Sequence, residues 1–380
     1  MAEFRYMRAP FSSIQGTLGL AVAMGIGRFF YTPLLPLMTA ALNWSSSTSS
    51  WIAVANYLGY LFGSLALSKN WVPKTAPIYR GSLMCSTLLL ATMALTDNPG
   101  IHSIIRFLAG IASAFIFVCI TQFASQNLHS PSLVGFVYGG VGLGITVSGI
   151  AVWLLGQTLA WTHLWGAATL ISTLFSTIAW TWPIDTEAPA RNRKILNNPA
   201  DRSTSEFKRA FRLLDTGYFF QGFGYIIIGT YLVILANPVF GSSAAAITWA
   251  VAGVAAIPSP YLWSALAERY GRRHTLLSCY TLQVGGAIAA IFGNSVFLLM
   301  VAAIIFGATF MGITMLTISM GVAYGINGGA ARLTTWYSLG QVVGPAVIGL
   351  FLSNSINASF IIATIAIAIG MATIKFSRYR

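Results

Sequence analysis

The stretch GIGRFFYTPLLPLM, Gly25–Met38, decides how this chain is read. It belongs to an apolar run from about Ile14 to Met38, yet it carries Arg28, Pro33 and Pro36. About 20 apolar residues in a helix cross the ~30 Å hydrocarbon core of a bilayer, so this run is long enough to span one. An arginine deep in such a span costs ~2.5–3.5 kcal/mol on insertion scales, and therefore faces a cavity or a partner rather than lipid. The triplet AVA at Ala21–Ala23 resembles a leader cleavage site, but the apolar run continues well past it, so the segment is read as a retained first span.

Outward from this stretch the chain keeps the same character. Of its 380 residues 56% are apolar and 8% are charged, with a mean hydropathy of +0.74. A soluble domain is nearer ~25% charged, so a polytopic membrane protein is expected. Twelve apolar runs are found, at about 14–38, 50–67, 78–95, 101–123, 133–155 and 164–182, then 216–235, 244–266, 276–292, 296–318, 334–352 and 360–374. With this count, all of the 21 lysines and arginines except Arg28 and Arg106 fall in connections or termini on one side. That asymmetry places both termini in the cytoplasm. It also accounts for the net charge of +13, and the dispersal of the basic residues speaks against nucleic-acid binding. Cys85, Cys119 and Cys279 sit in apolar runs as small hydrophobes, with no disulfide or metal spacing. Trp44, Trp51, Trp161, Trp165 and Trp182 lie near span ends, where an interfacial belt is expected.

The organisation is six spans, a polar linker and six spans, and the two sets match weakly at an offset of about 200 residues. GIGRFFYTPLL from Gly25 faces GFGYIIIGTYL from Gly222, setting Arg28 against Tyr225. Gly140, Gly144 and Gly149 meet Gly340, Gly344 and Gly349. GSLALSKNWV after the second span faces SALAERYGRR after the eighth. The fold class expected is all-α: twelve transmembrane helices in two pseudo-symmetric halves, residues 1–182 and 213–380, joined by a cytoplasmic linker at 183–212. Parallel halves of this kind are a transporter architecture, with the site between them near mid-membrane.

SALAERYGRR, Ser264–Arg273, resembles the loop signature of the major facilitator superfamily, with Ser264 in place of its first Gly and Glu268 in place of its Asp. The copy after the second span is degenerate: Leu67 stands where the acid belongs and Asn70 where the second Gly belongs. RFLAG, Arg106–Gly110, is similar to the fourth-span R-x-x-x-G pattern. Gly344 and Pro345 form in the eleventh span the Gly-Pro pair that antiporters of the superfamily carry in the fifth. GIGRFFYTPLLPLM, GFGYIIIGTYL and GQVVGP together resemble the bacterial YbfB/YjiJ-type branch. The resemblance implies a monomeric inner-membrane transporter of small molecules working by alternating access. It also implies a conformational latch at Glu268, Arg269, Gly271, Arg272 and Arg273. Spans one, four, seven and ten would line the pathway, which makes Tyr31, Gln221, Tyr225, Tyr231, Thr309 and Thr314 cavity candidates beside Arg28.

Arg28 lies about 15 residues into its span, ~22 Å up at 1.5 Å per residue. None of the eight acidic residues shares its depth. Two readings stay open. Arg28 awaits a substrate anion, for which a guanidinium fork is suited, or it bonds backbone carbonyls freed by Pro33 or Pro36, or tyrosine and amide groups, and stiffens the bundle. Arg106 is expected to pair with Asp97 or His102. The i,i+4 glycines Gly140/Gly144 and Gly340/Gly344 are read either as a sliding surface between halves or as static packing. No P-loop is present, so ATP is not the energy source. A coupling proton would have to use Asp215, at the inner end of span seven, or the substrate itself. The four histidines are dispersed, so neither an enzyme nor a metal or cofactor set is expected. Within transport, export of amphipathic compounds is the alternative to an organic anion.

Overall fold

A computed structural model describes residues 12–128, 130–183, 205–241, 245–293, 295–323, 329–351 and 355–376. The sequence forms twelve long helical spans: α1 Ser12–Leu42, α2 Ser46–Ser68, α3 Ala76–Thr92, α4 Pro99–Asn127, α5 Pro131–Leu155 and α6 Trp161–Ala179. The second six are α7 Ser205–Phe240, α8 Ala246–Tyr270, α9 Arg272–Ile291, α10 Val296–Ala323, α11 Gly329–Phe351 and α12 Ile356–Phe376. Large apolar side chains such as Leu88, Leu170 and Phe297 point outward, as expected of a surface facing lipid.

Helix starts follow local chemistry. Asn98 and Ser130 accept hydrogen bonds from the first amides of α4 and α5, with proline at the position after each. α7 begins at Ser205, well before the apolar run at about Thr216 and inside the stretch assigned to the linker. Its first three turns, SEFKRAFRLLD, carry charge and so escape a hydropathy reading. The rest of the linker lies outside the described residues, as do Arg5, Arg8, Arg191, Arg193, Lys194, Arg202, Arg378 and Arg380.

The matched glycines occupy matched crossings. A side chain at Gly140 or Gly144 would run into the α1 backbone at Thr17 or at Ala21 and Gly25. One at Gly340 or Gly344 would run into the α7 backbone at Phe219 or Phe223. These four glycines therefore let α5 seat against α1 and α11 against α7, each inside one set of six helices. The sliding-surface reading does not hold for them. The seam between the sets is built by Gly135, Gly139, Gly142 and Gly149 of α5, which lie against α8 near Pro260, Ile257 and Ala250. On the other side of the molecule α2 packs against α11.

The signature loops also correspond. Gly271 has φ +83°, and Asn70, its counterpart after α2, has φ +57°. Asparagine is among the few side chains that accept a positive φ, so the turn survives there without glycine. Helix ends on this side of the bundle are tied together. Arg80 Nε donates to the Trp180 carbonyl at 3.1 Å, Arg273 Nη2 to the Lys375 carbonyl, and Arg332 pairs with Asp215. The expected tryptophan belt is only partly present. Trp51 is exposed, whereas Trp165 and Trp182 are buried, the latter over Gly16 and against Phe123.

Candidate functional site

The site grows from an irregularity in α1. Residues Ala21–Ile26 form a π-helical turn, in which Gly27 N bonds Val22 O at 2.7 Å and Phe29 N bonds Met24 O at 3.0 Å. The chain then breaks at 27–30 and resumes as Tyr31–Leu42. The shifted bonds of the π turn leave the carbonyls of Ala23 and Gly25 without their usual amides, and Pro33, just past the break, has no amide for Phe29 O, which takes Thr32 N instead. Backbone carbonyls left loose in a membrane need other donors. Neighbouring helices supply them: Ser113 Oγ bonds Ala23 O at 2.7 Å and Ser148 Oγ bonds Gly25 O at 3.1 Å. Arg106 Nη1 bonds Gly27 O at 2.9 Å and its Nη2 bonds Arg28 O at 2.6 Å.

Carbonyl capture, one form of the structural reading for Arg28, is performed by Arg106, whereas the other form, contact with amide and tyrosine groups, is made by Arg28 itself at Gln341, Tyr57 and Tyr60. The expected pairing of Arg106 with Asp97 or His102 is not made. His102 Nε2 lies 2.6 Å from the Thr96 carbonyl instead, and its ring packs between Trp44 and Trp161. Asp97 is exposed in the short connection before α4 and makes no ion pair among the described residues. The backbone carbonyl of Arg106 is itself bonded by Asn56 Nδ2 at 2.8 Å. Gly110, one turn on, lets α4 approach the α2 backbone at Asn56 and Tyr60.

Arg28 is 1% exposed and points to the centre of the bundle. Its Nη2 donates to Gln341 Oε1 of α11 at 2.7 Å. Its Cζ lies 4.2 Å from the Tyr60 ring centroid, 5.2 Å from Tyr57 and 5.4 Å from Phe29. Nε and Nη1 have no hydrogen-bond partner among the described residues. The ion pair among the described residues is Arg332–Asp215, so no carboxylate within that set neutralises Arg28. A guanidinium enclosed by rings, with donors to spare and no acid, is suited to an anionic group from outside the chain.

The other candidates divide. Tyr225 of α7 joins the centre: its ring stacks on Phe306, Phe310 and Tyr337, and its hydroxyl is in reach of Tyr337 and Gln341. Arg28 and Tyr225, matched positions of the internal repeat, thus converge on one amide, that of Gln341. Gln221, fully buried a turn before Tyr225, has both amide atoms unpartnered. Tyr31 donates to Ser49 O at 3.2 Å and lies under Arg106. Tyr231 is partly buried within reach of Ser50 and is not among the side chains bonded to or stacked on Arg28. Thr309 and Thr314 return their hydroxyls to carbonyls of their own helix, at 2.7 and 2.9 Å. Pro345 is buried within α11. Asp215 is held by Arg332 at 2.7 Å. Glu268 is exposed and makes no ion pair among the described residues, while Arg269 lies over the Tyr270 ring.

Comparison with known proteins places this geometry. The family model described as "Uncharacterised MFS-type transporter YbfB" matches residues 20–375. This chain belongs to that family. The family is one of MFS-type transporters, and the chain is an integral membrane protein with the fold of that superfamily. The YgaY transporters of Escherichia coli K12 and O157:H7 are 27% identical over 169 residues, 43% of this chain. The match spans 41% of the length of those relatives. A crystal structure of the nucleoside transporter NupG superposes with a TM-score of 0.65, covering 98% of this chain and 99% of that one at 14% identity. A point mutant of NupG gives 0.66 at 12% identity, covering 97% and 100%. At such identities the likeness concerns the fold alone.

Gln341, Tyr57, Tyr60 and Asn56 escaped the sequence reading because they come from α11 and α2, outside the helices expected to line the pathway. A lone glutamine in the apolar run LGQVVGP was the available signal for Gln341.

Proposed function

We propose that this chain transports a small organic anion by alternating access, with Arg28 as the anion's ligand. The observation that carries this reading is the Arg28 guanidinium, buried among rings with Nε and Nη1 unbonded and no acid beside it among the described residues. In the transport cycle the halves 1–182 and 213–380, joined by the stretch 183–212, rock about the centre. The α5–α8 and α2–α11 seams are where they slide. Glu268, Arg269, Gly271, Arg272 and Arg273 serve as a latch at the basic end. Asp215, bonded to Arg332, is the group through which a proton gradient would act. The transporter works as a monomer in the bacterial inner membrane, with both termini in the cytoplasm and lipid around it.

The test is flux. Purified protein in liposomes takes up radiolabelled carboxylates from a panel of acetate, lactate, succinate and benzoate, and Arg28→Gln abolishes the uptake while insertion and monodispersity hold. Uptake that survives in Arg28→Gln removes the anion reading. In that event, competition by neutral amphipathic compounds would favour export of such molecules.

A further inference from the structure

We infer that the chain holds one anionic phospholipid between α3 and α6, with an acyl chain in the groove there and the phosphate on Arg80. The groove has a volume of about 460 Å³ and lies away from the centre of the bundle, so the proposal is independent of the anion reading. Met84, Thr87 and Leu88 form its α3 wall, and Thr173, Ser176, Thr177 and Trp180 its α6 wall. The two helices run antiparallel: Arg80 is bonded to Trp180, and Thr87 is 3.2 Å from Ser176. Arg80 and Trp180 therefore meet at the basic end, and the groove leads from them into the membrane. Its walls suit a hydrocarbon. Thr87, Thr173 and Thr177 donate their hydroxyls to carbonyls of their own helices, at 3.0, 2.8 and 2.7 Å. With those donors occupied, the walls present methyls, methylenes and an indole, and a polar solute gains little there. Met84 and Leu88 are 55% and 59% exposed, which on this surface means exposed to lipid tails.

The mouth of the groove is cationic. Arg80 precedes Met84 by four residues, so it stands on the face of α3 that lines the groove. Its Nε donates to the Trp180 carbonyl at 3.1 Å, which fixes the guanidinium at the rim. That bond uses Nε alone, and a phosphate with its pair of oxygens suits the two Nη groups. Arg80 makes no ion pair among the described residues. Asp97, the single acid among the described residues of α1 to α6, lies in the connection between α3 and α4, at the opposite end of α3. Lys69 and Lys74, in the connection before α3, add charge of the same sign at the basic end. Trp180 is 39% exposed, an amphipathic ring of the kind that settles at headgroup level. Gly81, beside Arg80, has nothing within 4 Å of where a β-carbon would stand, so a headgroup has room next to the cation. Charge at the rim and an apolar cleft below it match a phosphate with a tail, and anionic lipids are drawn to basic clefts between spans.

The experiment uses the full chain, delipidated in detergent, and reads the affinity of the first bound lipid by native mass spectrometry. The probes are dioleoyl phosphatidylglycerol, dioleoyl phosphatidylcholine with the same chains, and glycerol phosphate, which has the charge without the chains. Phosphatidylglycerol should bind about fivefold tighter than phosphatidylcholine, since one basic residue near an anionic headgroup contributes ~1 kcal/mol. Glycerol phosphate should not compete. Arg80→Gln should erase the preference, and Arg80→Lys, which keeps the charge, should retain it. Because Arg80→Gln also loses the tie to Trp180, Gly81→Glu is the second variant. It sets a carboxylate in open space beside the guanidinium and should erase the preference with the tie intact. Thr177→Trp, filling the groove from an exposed position, should weaken both lipids alike. Equal affinity for the two lipids in the parent, or a preference that survives Arg80→Gln or Gly81→Glu, overturns the proposal. Undiminished binding in Thr177→Trp overturns it too, reducing the contact to that of the surrounding bilayer. Competition by glycerol phosphate would make Arg80 a site for free phosphate and remove the lipid.

Discussion

The two buried arginines make opposite predictions, and their comparison is the sharpest test of the site. Arg106→Gln removes two charge-assisted bonds to Gly27 O and Arg28 O, at 2.9 and 2.6 Å. Bonds of this kind contribute ~1.5–3 kcal/mol each, so the loss is about 3–6 kcal/mol. Arg28→Gln removes one such bond, and the new amide can remake it with Gln341. The lost contacts to the Tyr60, Tyr57 and Phe29 rings contribute ~1–2 kcal/mol. Relief from burying a guanidinium, ~2.5–3.5 kcal/mol, is common to both variants and cancels in the comparison. Arg106→Gln is therefore less stable than Arg28→Gln by about 2–4 kcal/mol. With an unfolding entropy of ~2.1 cal/mol/K per residue, this is a difference of about 3–5 °C in Tm. Thermal unfolding of both variants in one detergent measures it. Arg28→Gln should melt within about 2 °C of the parent while losing anion uptake. Should Arg28→Gln melt as low as Arg106→Gln, Arg28 is a structural staple and the binding argument fails.

Gly140→Ala and Gly340→Ala would each place a methyl against a helix backbone, at Thr17 and Phe219, and should reduce the monodisperse yield sharply. Gly81→Ala, which meets open space, should leave the yield unchanged. Asp215→Asn breaks the pair with Arg332, and uptake should lose its dependence on an imposed pH gradient while flux down the substrate gradient persists. An unaltered response to the gradient would move coupling away from Asp215. Glu268→Gln should slow turnover without changing the amount inserted, and equal loss of both would reduce the loop to a folding element.

The twelve spans were legible because lipid imposes long apolar runs, and the basic connections fixed their count. The limits of α7 were not, since Ser205–Asp215 is helical by tertiary context and carries charge that ends the apolar signal early. The repeat was legible through Gly140/Gly340 and Gly144/Gly344, whose spacing reflects two equivalent crossings. Which neighbour each glycine faces is a matter of helix rotation, and the sequence could not separate the α1 contact from the seam at Gly142 and Gly149. Arg28 was visible as a charge without an acid. The exchange of roles with Arg106 was hidden, because it depends on a π-helical turn that shifts which carbonyls are loose. Gln341 was hidden for a similar reason: a single amide in an apolar run reveals nothing of its partner 313 residues away.

The bend in α1 has one more implication. Its loose carbonyls at Ala23, Gly25, Gly27 and Arg28 are stoppered by serine and arginine side chains. With protein donors on these four carbonyls, the kink needs no water to satisfy its backbone, and an irregular helix can be accommodated deep in the bilayer.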